Sequence, residues 1–508
     1  MKITQVAIVG GGSSGWMTAA CLAKLCPHLQ ISLIESANIK TIGVGESTQA
    51  RINEFLQLLD LRDEDWMPYC NATYKNAVRF TNFRENDGSY FDYPFTTAFD
   101  FHDKPLGADT WAHIKVRDPS YGPETFAEFY SNNALLTKYN RQTKNEDGRL
   151  RGFLFDVDTA YHLDSHLFGD YLKNHVAIPN KVKHIIGDVV DCSFAGKDIR
   201  SIKLADGSSV EADLFIDCSG FKSLLLGNYQ KQEFISYGDK LINDSAWACQ
   251  IPYQNKETEM VNVTNCTALN NGWVWNTPTW ERIGTGYVFS SEFISDDDAK
   301  QEFIDYLGER GKDASMRLIK FKHGRYKQAW VNNVVGVGLS YAFLEPLEST
   351  GLWSTHESIV RLSEILNTRQ GYVNQVEIDG YNYATEFELN QMVHFVSAHY
   401  TFSMREDTPY WKHCTQVMSN PQTNFMHSTM INKSWNGKFT GLLYIAAGMG
   451  LSSISSLAMS KRILRDIGDL DVNAIKTAYE CNRAKTTDYI KLLPTHYEFL
   501  RDNIYTSH

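Results

Sequence analysis

The chain has 508 residues, 43% hydrophobic and 21% charged, which is the balance of an ordinary globular protein with a large core. This balance excludes a disordered or fibrous protein, and nine cysteines without a CxxC pair argue against a zinc ribbon or a redox dithiol. With 49 basic and 60 acidic residues the net charge is −11, so nucleic acid and anionic membranes are poor partners.

The location expected from the sequence is the cytoplasm. The opening MKITQVAIVGGG lacks the long apolar core of a signal peptide, and nowhere do 18 apolar residues run together as a membrane span requires. Free thiols in a reducing compartment are the simplest interpretation of the scattered cysteines.

The first 35 residues predict a nucleotide-binding unit. Gln5–Val9 is a short apolar strand, residues 10–15 form a glycine turn, and Trp16–Leu25 has the composition of a helix. A second strand, Ile31–Ile34, ends at Glu35.

The glycine turn has the spacing of a phosphate-binding loop. Gly10 permits the tight turn, Gly12 allows backbone to approach a pyrophosphate, and Gly15 lets helix and strand pack closely. Phosphates would bind the helix N-terminus, and Glu35, 20 residues after Gly15, would accept hydrogen bonds from ribose. The predicted cofactor contacts of this unit are Gly10, Gly11, Gly12, Ser13, Ser14, Gly15 and Glu35.

Two later segments predict further strands of the same parallel sheet. Ala212–Ser219 follows a hairpin whose turn is Asp206-Gly207, and Asn333–Gly338 precedes a segment whose second half reads as a helix. A sheet assembled from distant segments suits an FAD enzyme, and with only one complete fingerprint no separate NAD(P)H site of this kind is expected.

The remaining segments complete the predicted architecture. Residues 78–142 read as loops with irregular strands, residues 260–291 as β-structure, and the tail after Phe387 as mainly helical. The fold class is therefore α/β with α+β elements: a Rossmann-like FAD core interleaved with a second, largely helical substrate-binding region. Within one interleaved unit, the core spans about 1–80, 185–225 and 325–370, and the substrate-facing regions span about 81–184, 226–324 and 371–508.

His162 and His166 raise the question of a metal site. A spacing of four on a helix would put both imidazoles on one face, continued by Asp170. No third ligand pattern accompanies them, so ordinary helix packing is preferred and no metal is expected.

Several motifs together resemble the flavin-dependent halogenases of the tryptophan-halogenase type. They cover roughly residues 3 to 460, and FLEPLESTG is the most specific of them. In chain order they are GGGSSGWMTAA at 10–20, GVGEST at 43–48, NATYK at 71–75, DLFIDCSG at 213–220, FLEPLESTG at 343–351 and DTPYW at 407–411.

The resemblance implies a reaction. Reduced FAD from a separate flavin reductase, O2 and a halide (bromide and/or chloride) would give hypohalous acid, which halogenates an electron-rich aromatic by electrophilic substitution. The alternatives are a flavin-dependent aromatic hydroxylase, which shares the architecture, and a non-catalytic flavin-binding protein. The oligomeric state is open, with a homodimer as one candidate.

The resemblance also assigns the two catalytic side chains. Lys75 would direct the hypohalous acid to substrate, either by hydrogen bonding as an ammonium or as a haloamine, and the sequence does not choose between these routes. Without the NATYK context, Lys75 would read as an ordinary surface lysine. Glu348 would stabilise the cationic ring intermediate and accept its proton, although a Glu near a helix N-terminus can also be structural, the role given to Glu345.

Contacts to halide and flavin follow from the same motifs. The backbone of Thr350 and Gly351 opens a helix and would bind the halide. The predicted further flavin contacts are Glu46, Ser47, Leu339 and Leu352.

The family motif Trp-x-Trp-x-Ile-Pro, thought to keep substrate away from the flavin, is present only in part. This sequence has Trp273-Val-Trp275-Asn-Thr277-Pro278, with Thr in place of Ile, which relaxes the expected exclusion. Taken alone, two tryptophans at this spacing would indicate same-face packing on a strand.

Two departures from the family bear on the substrate. The segment between Trp411 and Gly441 is short compared with the insertion of tryptophan-specific members, and residues 91–95 lack the usual His. Both favour indole, or a larger indolic or phenolic compound, over free L-tryptophan. Because bromide is oxidised more easily than chloride, bromination is the expected activity.

Overall fold

The computed structural model describes residues 1–38, 45–95, 118, 126–418, 421, 424, 441–449 and 472–506. The chain divides into two compact units, each made of three chain segments. Unit 1 comprises residues 1–72, 163–239 and 319–393, and unit 2 comprises residues 73–162, 240–318 and 394–508.

Unit 1 is built on a six-stranded sheet assembled from distant segments, as predicted. Five neighbouring strands are parallel, and an antiparallel strand at one edge completes the sheet. The strand order is Trp330–Val331, Val334–Gly336, Leu214–Asp217, Gln5–Val9, Gln30–Glu35, Lys183–Ile186.

The remaining elements of unit 1 flank this sheet. Its other strands are Glu46–Ser47, Val189–Ala195, Asp198–Leu204, Ser209–Glu211, Phe234–Ser236, Gly324–Tyr326 and Ala342–Phe343. Its helical segments are Ser13–Leu25, Ile52–Leu58, Asp63–Trp66, Ser165–Tyr171, Leu172–Ala177, Gly220–Lys222, Leu224–Tyr229, Gly338–Ser340, Pro346–Glu348, Thr350–Thr368 and Gln375–Thr401, whose end belongs to unit 2.

The sequence explains why this sheet is central. Leu214–Asp217 is buried at every position, and Gln5–Val9 is buried after its first residue, as parallel strands covered on both faces should be. The helix Ser13–Leu25 buries nine consecutive residues from Gly15 to Ala23, so it is enclosed on all sides. The predicted hairpin at Asp206-Gly207 is confirmed, with Gly207 at a φ of +88°.

Unit 2 contains a seven-stranded sheet. Residues 260–291 form three antiparallel strands of it, as predicted. The prediction of irregular strands after residue 78 is wrong for the described part, because Ala77–Thr81 and Tyr90–Pro94 pair in regular antiparallel register. The strand order is Arg317–Lys320, Ser245–Ile251, Ile283–Phe289, Gly272–Pro278, Val263–Ala268, Ala77–Thr81, Tyr90–Pro94.

A short strand pair and several helices accompany this sheet. Thr73–Lys75 pairs antiparallel with Ala160–Leu163. The helices are Phe126–Tyr130, Asn132–Lys138, Phe155–Asp158, Lys256–Glu259, Asp296–Leu307, Glu309–Lys312, Pro409–Gln416, Gly441–Gly448, Val472–Leu492 and His496–Asn503. The predicted helical tail is thereby confirmed where it is described.

Apolar clusters hold the sheet of unit 2 to its helices. Phe303 and Leu307, on one face of Asp296–Leu307, pack against Val274 and Tyr287 of the sheet. No described helix has the length and apolarity needed to cross a membrane.

Candidate active site

The glycine turn has the geometry that its sequence predicts. Gly10 has a φ of +118°, and a Cβ on it would lie 2.3 Å from the carbonyl oxygen of Cys218. A Cβ on Gly15 would lie 1.9 Å from the carbonyl oxygen of Gly10, so the helix packs directly on the turn. Among the described residues no side chain caps the helix at Gly12, and its first amides can therefore bind an anion.

A cavity of about 500 Å³, the dinucleotide cavity, lies at this turn. The predicted cofactor contacts that line it are Gly10, Gly11, Gly12, Ser13, Ser14, Glu35, Glu46 and Leu339. Gly15, Ser47 and Leu352 are not among its lining residues. Ser219 and Lys222 also line it, although sequence reasoning did not single them out. A glycine cradle, amides without a cap and a carboxylate fit a dinucleotide, and the volume is typical of ligand cavities, roughly 300–1,000 Å³.

Glu35 is held in place by two basic side chains. The His184 Nε2 lies 2.8 Å from the Glu35 Oε2, and the Lys173 Nζ lies 3.8 Å from the same oxygen. Both partners also contact Trp16 of the first helix, His184 edge-to-face at 5.1 Å and Lys173 at 5.2 Å from the ring centroid. The carboxylate is thus oriented at the cavity wall by residues that no sequence motif revealed.

The segment at Glu46 is tied to neighbouring parts of unit 1. Ser165 Oγ donates to Glu46 Oε1 at 2.5 Å, and burial raises the pKa of Glu46, with the charge of Asp164 adding to the effect. The hydroxyls of Ser47 and Ser349 lie 2.7 Å apart. Residues 43 and 44 of the GVGEST motif lie outside the described residues.

Asp217 organises the two turns that meet beside the dinucleotide cavity. Its carboxylate accepts from the backbone and hydroxyl of Ser219 at 3.0 and 2.6 Å, and from the amides of Leu225 and Leu226 at 2.6 and 2.8 Å. Its backbone oxygen accepts from the Ser340 hydroxyl and the Val337 amide. Burial raises the pKa of Asp217. The residue lies within the DLFIDCSG motif, yet its hydrogen-bonding role could not be derived from that motif.

The predicted halide residues lie where a long helix begins. Thr350 is the first residue of Thr350–Thr368, and the preceding Ser349 is left-handed, with a φ of 56°. Thr350 Oγ1 donates to the carbonyl oxygens of Leu344 and Glu345 at 3.1 and 2.8 Å. Apart from its chain neighbours and the backbone of its own helix, no described atom lies within 4 Å of a Cβ built on Gly351, so there is space beside it.

Glu348 and Glu345 are both fully buried in unit 1. Glu348 ends the short helical turn Pro346–Glu348, and its carbonyl oxygen accepts from Gln49 Nε2 at 2.7 Å. Leu352, predicted beside the flavin, is also buried. The roles of these side chains remain predictions.

Lys75 is completely buried in unit 2, so the alternative of a surface lysine is wrong. It ends the strand Thr73–Lys75, and its Nζ lies 5.0 Å from the centroid of the Phe95 ring. This is a cation–π distance. A lysine is almost never fully buried without a partner or a chemical role, and this placement fits an amine that works away from bulk solvent.

The strand Thr73–Lys75, here called the lysine strand, is held by a series of hydrogen bonds through His162 of the strand paired with it. Thr73 Oγ1 donates to the carbonyl oxygen of Pro278 at 2.6 Å, so the His162 Nδ1, 3.2 Å away, must donate to Thr73. His162 Nε2 then accepts from Thr264 Oγ1 at 2.9 Å. Burial lowers the pKa of His162 well below its ordinary value, and the charge of Lys75 lowers it further.

A second histidine holds the middle of the same strand. His496 Nε2 accepts from the amide of Tyr74 at 3.2 Å, and its Nδ1 lies 3.2 Å from the carbonyl oxygen of Met260, to which it donates. Burial lowers the pKa of His496 to about 4. Two neutral imidazoles therefore fix the strand that carries Lys75.

The prediction that His162 and His166 share a helical face is wrong. His162 lies in the strand Ala160–Leu163, and Asp164 caps the next helix by accepting from the amides of His166 and Leu167 at 3.1 and 3.3 Å. Because Asp164 is a strong N-cap, the chain changes from strand to helix between the two imidazoles.

The two tryptophans of the partial family motif lie on the strand Gly272–Pro278 of unit 2. Their ring centroids are 6.2 Å apart at an interplanar angle of 56°, so they share a face of the sheet. A Cβ on Gly286 would lie 2.1 Å from the Trp275 ring, which therefore covers the next strand. This placement agrees with same-face packing, and the exclusion role stays a prediction.

Further aromatic rings lie near Phe95, the ring beside Lys75. Tyr93 lies 6.0 Å from each of Phe95, Phe395 and Tyr444, measured between ring centroids. Unit 2 therefore presents its buried amine next to aromatic side chains.

Comparison with known proteins identifies relatives over nearly the whole chain. The sequence model of the family described as tryptophan halogenase matches residues 5–450. The 7-chloro-L-tryptophan 6-halogenase KtzR of Kutzneria sp. (strain 744) is 32% identical, across 97% of this chain and 98% of its own.

Solved structures agree with this result. The apo structure of VirX1 superposes with a TM-score of 0.94 at 50% identity, covering 99% of this chain and 100% of that one. BrvH, a flavin-dependent halogenase from Brevundimonas sp. BAL3, gives a TM-score of 0.85 at 30% identity, covering 99% of each chain.

Proposed function

The chain belongs to the tryptophan halogenase family and is a flavin-dependent halogenase, and we propose that it brominates an indolic compound by electrophilic substitution. The observation that carries this proposal is the complete burial of Lys75 beside an aromatic ring. When bound, reduced FAD with O2 and halide supplies hypohalous acid, and the protein's own task is to confine that oxidant and direct it to one carbon.

Unit 1 would hold the dinucleotide. The amides that follow Gly12 are without a side-chain cap in the described structure and face a cavity lined by glycines, which suits a pyrophosphate. Glu35, oriented by His184, would accept hydrogen bonds from ribose hydroxyls. Asp217 would act indirectly, since it fixes the turn that contributes Ser219 and Lys222 to the cavity wall.

The halide would bind at the start of the helix Thr350–Thr368. The helix dipole and the amides of Thr350 and Gly351 favour an anion there, and the space beside Gly351 leaves room for one. The Thr350 hydroxyl is engaged with two carbonyl oxygens, so its backbone rather than its side chain would contact the halide.

Lys75 and Glu348 would carry the chemistry on the substrate. The amine of Lys75 would hold the electrophilic halogen, as a hydrogen-bond donor or as a haloamine, with its strand fixed by His162 and His496. Glu348 would stabilise the cationic ring and take the proton that leaves the substituted carbon.

The substrate would be indole, or a larger indolic compound, in preference to free L-tryptophan. The relatives named above include an enzyme named for a tryptophan derivative, which supports an indolic ring. The short segment after Trp411 and the absence of His from residues 91–95 remove features that bind the free amino acid in tryptophan-specific members. A separate reductase would supply the reduced flavin.

The test is mass spectrometry of reactions with FAD, a flavin reductase and O2, with and without bromide. A bromine isotope doublet on indole that requires bromide supports the proposal, and a hydroxylated product without bromide overturns it. Indole and tryptophan are compared at equal concentration. Equal or greater bromination of tryptophan would refute the substrate preference.

A further inference from the structure

Unit 1 contains a second cavity of about 450 Å³, the aromatic cavity, to which the proposed reaction assigns no ligand of its own. It shares Phe221 and Leu339 with the dinucleotide cavity, so the two have a wall in common. Its remaining walls are formed chiefly by a three-stranded sheet, which contributes Phe234, Tyr326 and Phe343. Backbone forms much of the first cavity, whereas rings form the second.

The rings of the aromatic cavity hold one another in fixed orientations. Phe343 packs against Phe221 at 5.1 Å and 71°, and against Phe321 at 4.9 Å and 58°. Phe234 packs edge-to-face on Tyr326 at 5.4 Å. Phe221 and Phe234 are nevertheless 44% and 40% exposed. Preorganised rings that remain exposed beside a cavity offer stacking area to a flat ligand.

The charges at this cavity have one sign. Lys320 and Lys322 line it and are exposed, and none of its lining residues is an Asp or a Glu. On a chain with a net charge of −11, a cavity lined by cations alone favours an anionic ligand. Aromatic walls and ammonium groups together select a planar fused ring that carries an anionic group.

We propose that the aromatic cavity is a second flavin site, which binds the ring of a free flavin with its phosphate beside Lys320 and Lys322. The shared wall at Phe221 and Leu339 makes this a capture site for flavin on its way to the dinucleotide cavity. The inference rests on the proposed use of reduced flavin that arrives from solution. An indolic acid has the same chemistry in outline, and the experiment below separates the two ligands.

The experiment measures flavin stoichiometry on the full chain. Protein loaded with one FAD per chain and freed of excess FAD is titrated with FMN, with riboflavin and with tryptophan, and binding is followed by equilibrium dialysis and by quenching of flavin fluorescence. The expected result is one FMN bound in addition to FAD, with riboflavin weaker by roughly tenfold because it lacks the phosphate. A single flavin per chain at saturation overturns the proposal, and so does tryptophan that displaces the FMN.

Two variants locate the second flavin. Phe234→Ser removes an exposed ring that lines only the aromatic cavity, and Lys322→Glu reverses a charge at it. Each substitution should weaken the binding of FMN about tenfold and leave the binding of FAD unchanged. Lys322→Glu should also abolish the preference for FMN over riboflavin. Phe194→Ser and Lys203→Glu are matched controls, since both residues are exposed in unit 1 and line neither cavity.

The outcomes separate this inference from the proposed function. Two flavins per chain without a brominated product would leave the second site standing and refute the activity. A brominated product from a chain that binds only one flavin would support the activity and refute the second site. Equal effects of the control variants and the cavity variants would overturn the location.

Discussion

The dinucleotide cavity of unit 1 and the lysine strand of unit 2 are built by different means. The cavity depends on backbone: Gly10 and Gly15, where a Cβ would clash with a carbonyl oxygen, and amides at the start of a helix. The lysine strand depends on side chains from distant parts of the chain, with His162 and His496 holding Thr73 and Tyr74. Backbone sites should therefore fail through steric clash, and side-chain sites through lost hydrogen bonds or changed protonation.

The largest effect is expected from removing the amine of unit 2 while unit 1 stays intact. Lys75→Met keeps the volume of the side chain and should lower brominated product at least about 100-fold, because the oxidant loses its holder. Hypohalous acid released to solution, measured by halogenation of an added β-diketone scavenger, should persist.

Lys412→Met is the control, since Lys412 is exposed on the helix Pro409–Gln416 of unit 2. Loss of both product and released hypohalous acid in Lys75→Met would contradict the division of labour between the two regions.

The next largest effect is expected at the backbone of the dinucleotide cavity. Gly10→Ala forces a left-handed residue, worth roughly 1–3 kcal/mol, and also places a Cβ against the Cys218 carbonyl. FAD affinity should fall more than about tenfold and the melting temperature should drop, as measured by fluorescence titration and calorimetry.

Gly207→Ala supplies the comparison that isolates the clash. Gly207 has a φ of +88°, but apart from its chain neighbours no described atom lies within 4 Å of the place that its Cβ would take. The substitution should therefore cost the conformational strain alone and leave FAD binding unchanged. Equal losses of FAD affinity and of melting temperature in Gly10→Ala and Gly207→Ala would show that the close approach to Cys218 is unimportant.

A smaller effect is expected of low pH on the free energy of unfolding, and each unit contains a buried histidine that contributes to it. Burial lowers the pKa of His496 in unit 2 to about 4 and that of His356 in unit 1 to about 3. A histidine of the unfolded chain takes up a proton below about pH 6.5, whereas these two buried histidines do so only near pH 4 and pH 3. Between those limits the unfolded state therefore binds more protons than the folded state. The free energy of unfolding should fall by about 1.4 kcal/mol per pH unit for each histidine as pH decreases.

Denaturant unfolding at about pH 7 and about pH 5 measures this slope. His496→Gln can still accept from Tyr74 and donate to Met260, so it should keep stability near neutral pH and lose its part of the slope. His166→Gln, at an exposed histidine, is the matched control. An unaltered slope in His496→Gln would contradict the neutral imidazole.

The smallest effect is expected where unit 1 does use a side chain. Glu35→Gln keeps the shape of the side chain but weakens its bonds to His184 and to ribose, and FAD affinity should fall about five- to tenfold. Glu211→Gln, an exposed residue outside the cavity, is the control. Unchanged FAD affinity in Glu35→Gln would contradict the proposed hydrogen bond between Glu35 and ribose.

This contrast also explains how much the sequence predicted. Gln5–Val9, the glycine turn and the strand at 214–217 were identified because their signals are local: apolar runs, glycine spacing and an acid at a fixed distance. Lys75 was identified from its motif, but the support of its strand was not, since Thr73 meets His162 and Pro278 only in the folded chain. The helical interpretation of residues 162–166 failed because the capping role of Asp164 outweighs the spacing of the two histidines.

The interleaved sheet of unit 1 has a consequence for how the protein is made. Its first two strands, Gln5–Val9 and Gln30–Glu35, can pair with each other, but the outer edge of Gln30–Glu35 must wait until Lys183–Ile186 has been synthesised, and the sheet is complete only after Val334–Gly336. At about 5–20 residues per second on the ribosome, that first wait is roughly ten to thirty seconds. Nascent chains therefore carry open apolar strand edges, so cooler expression and chaperones should raise the soluble yield, and truncation before residue 336 should give aggregates.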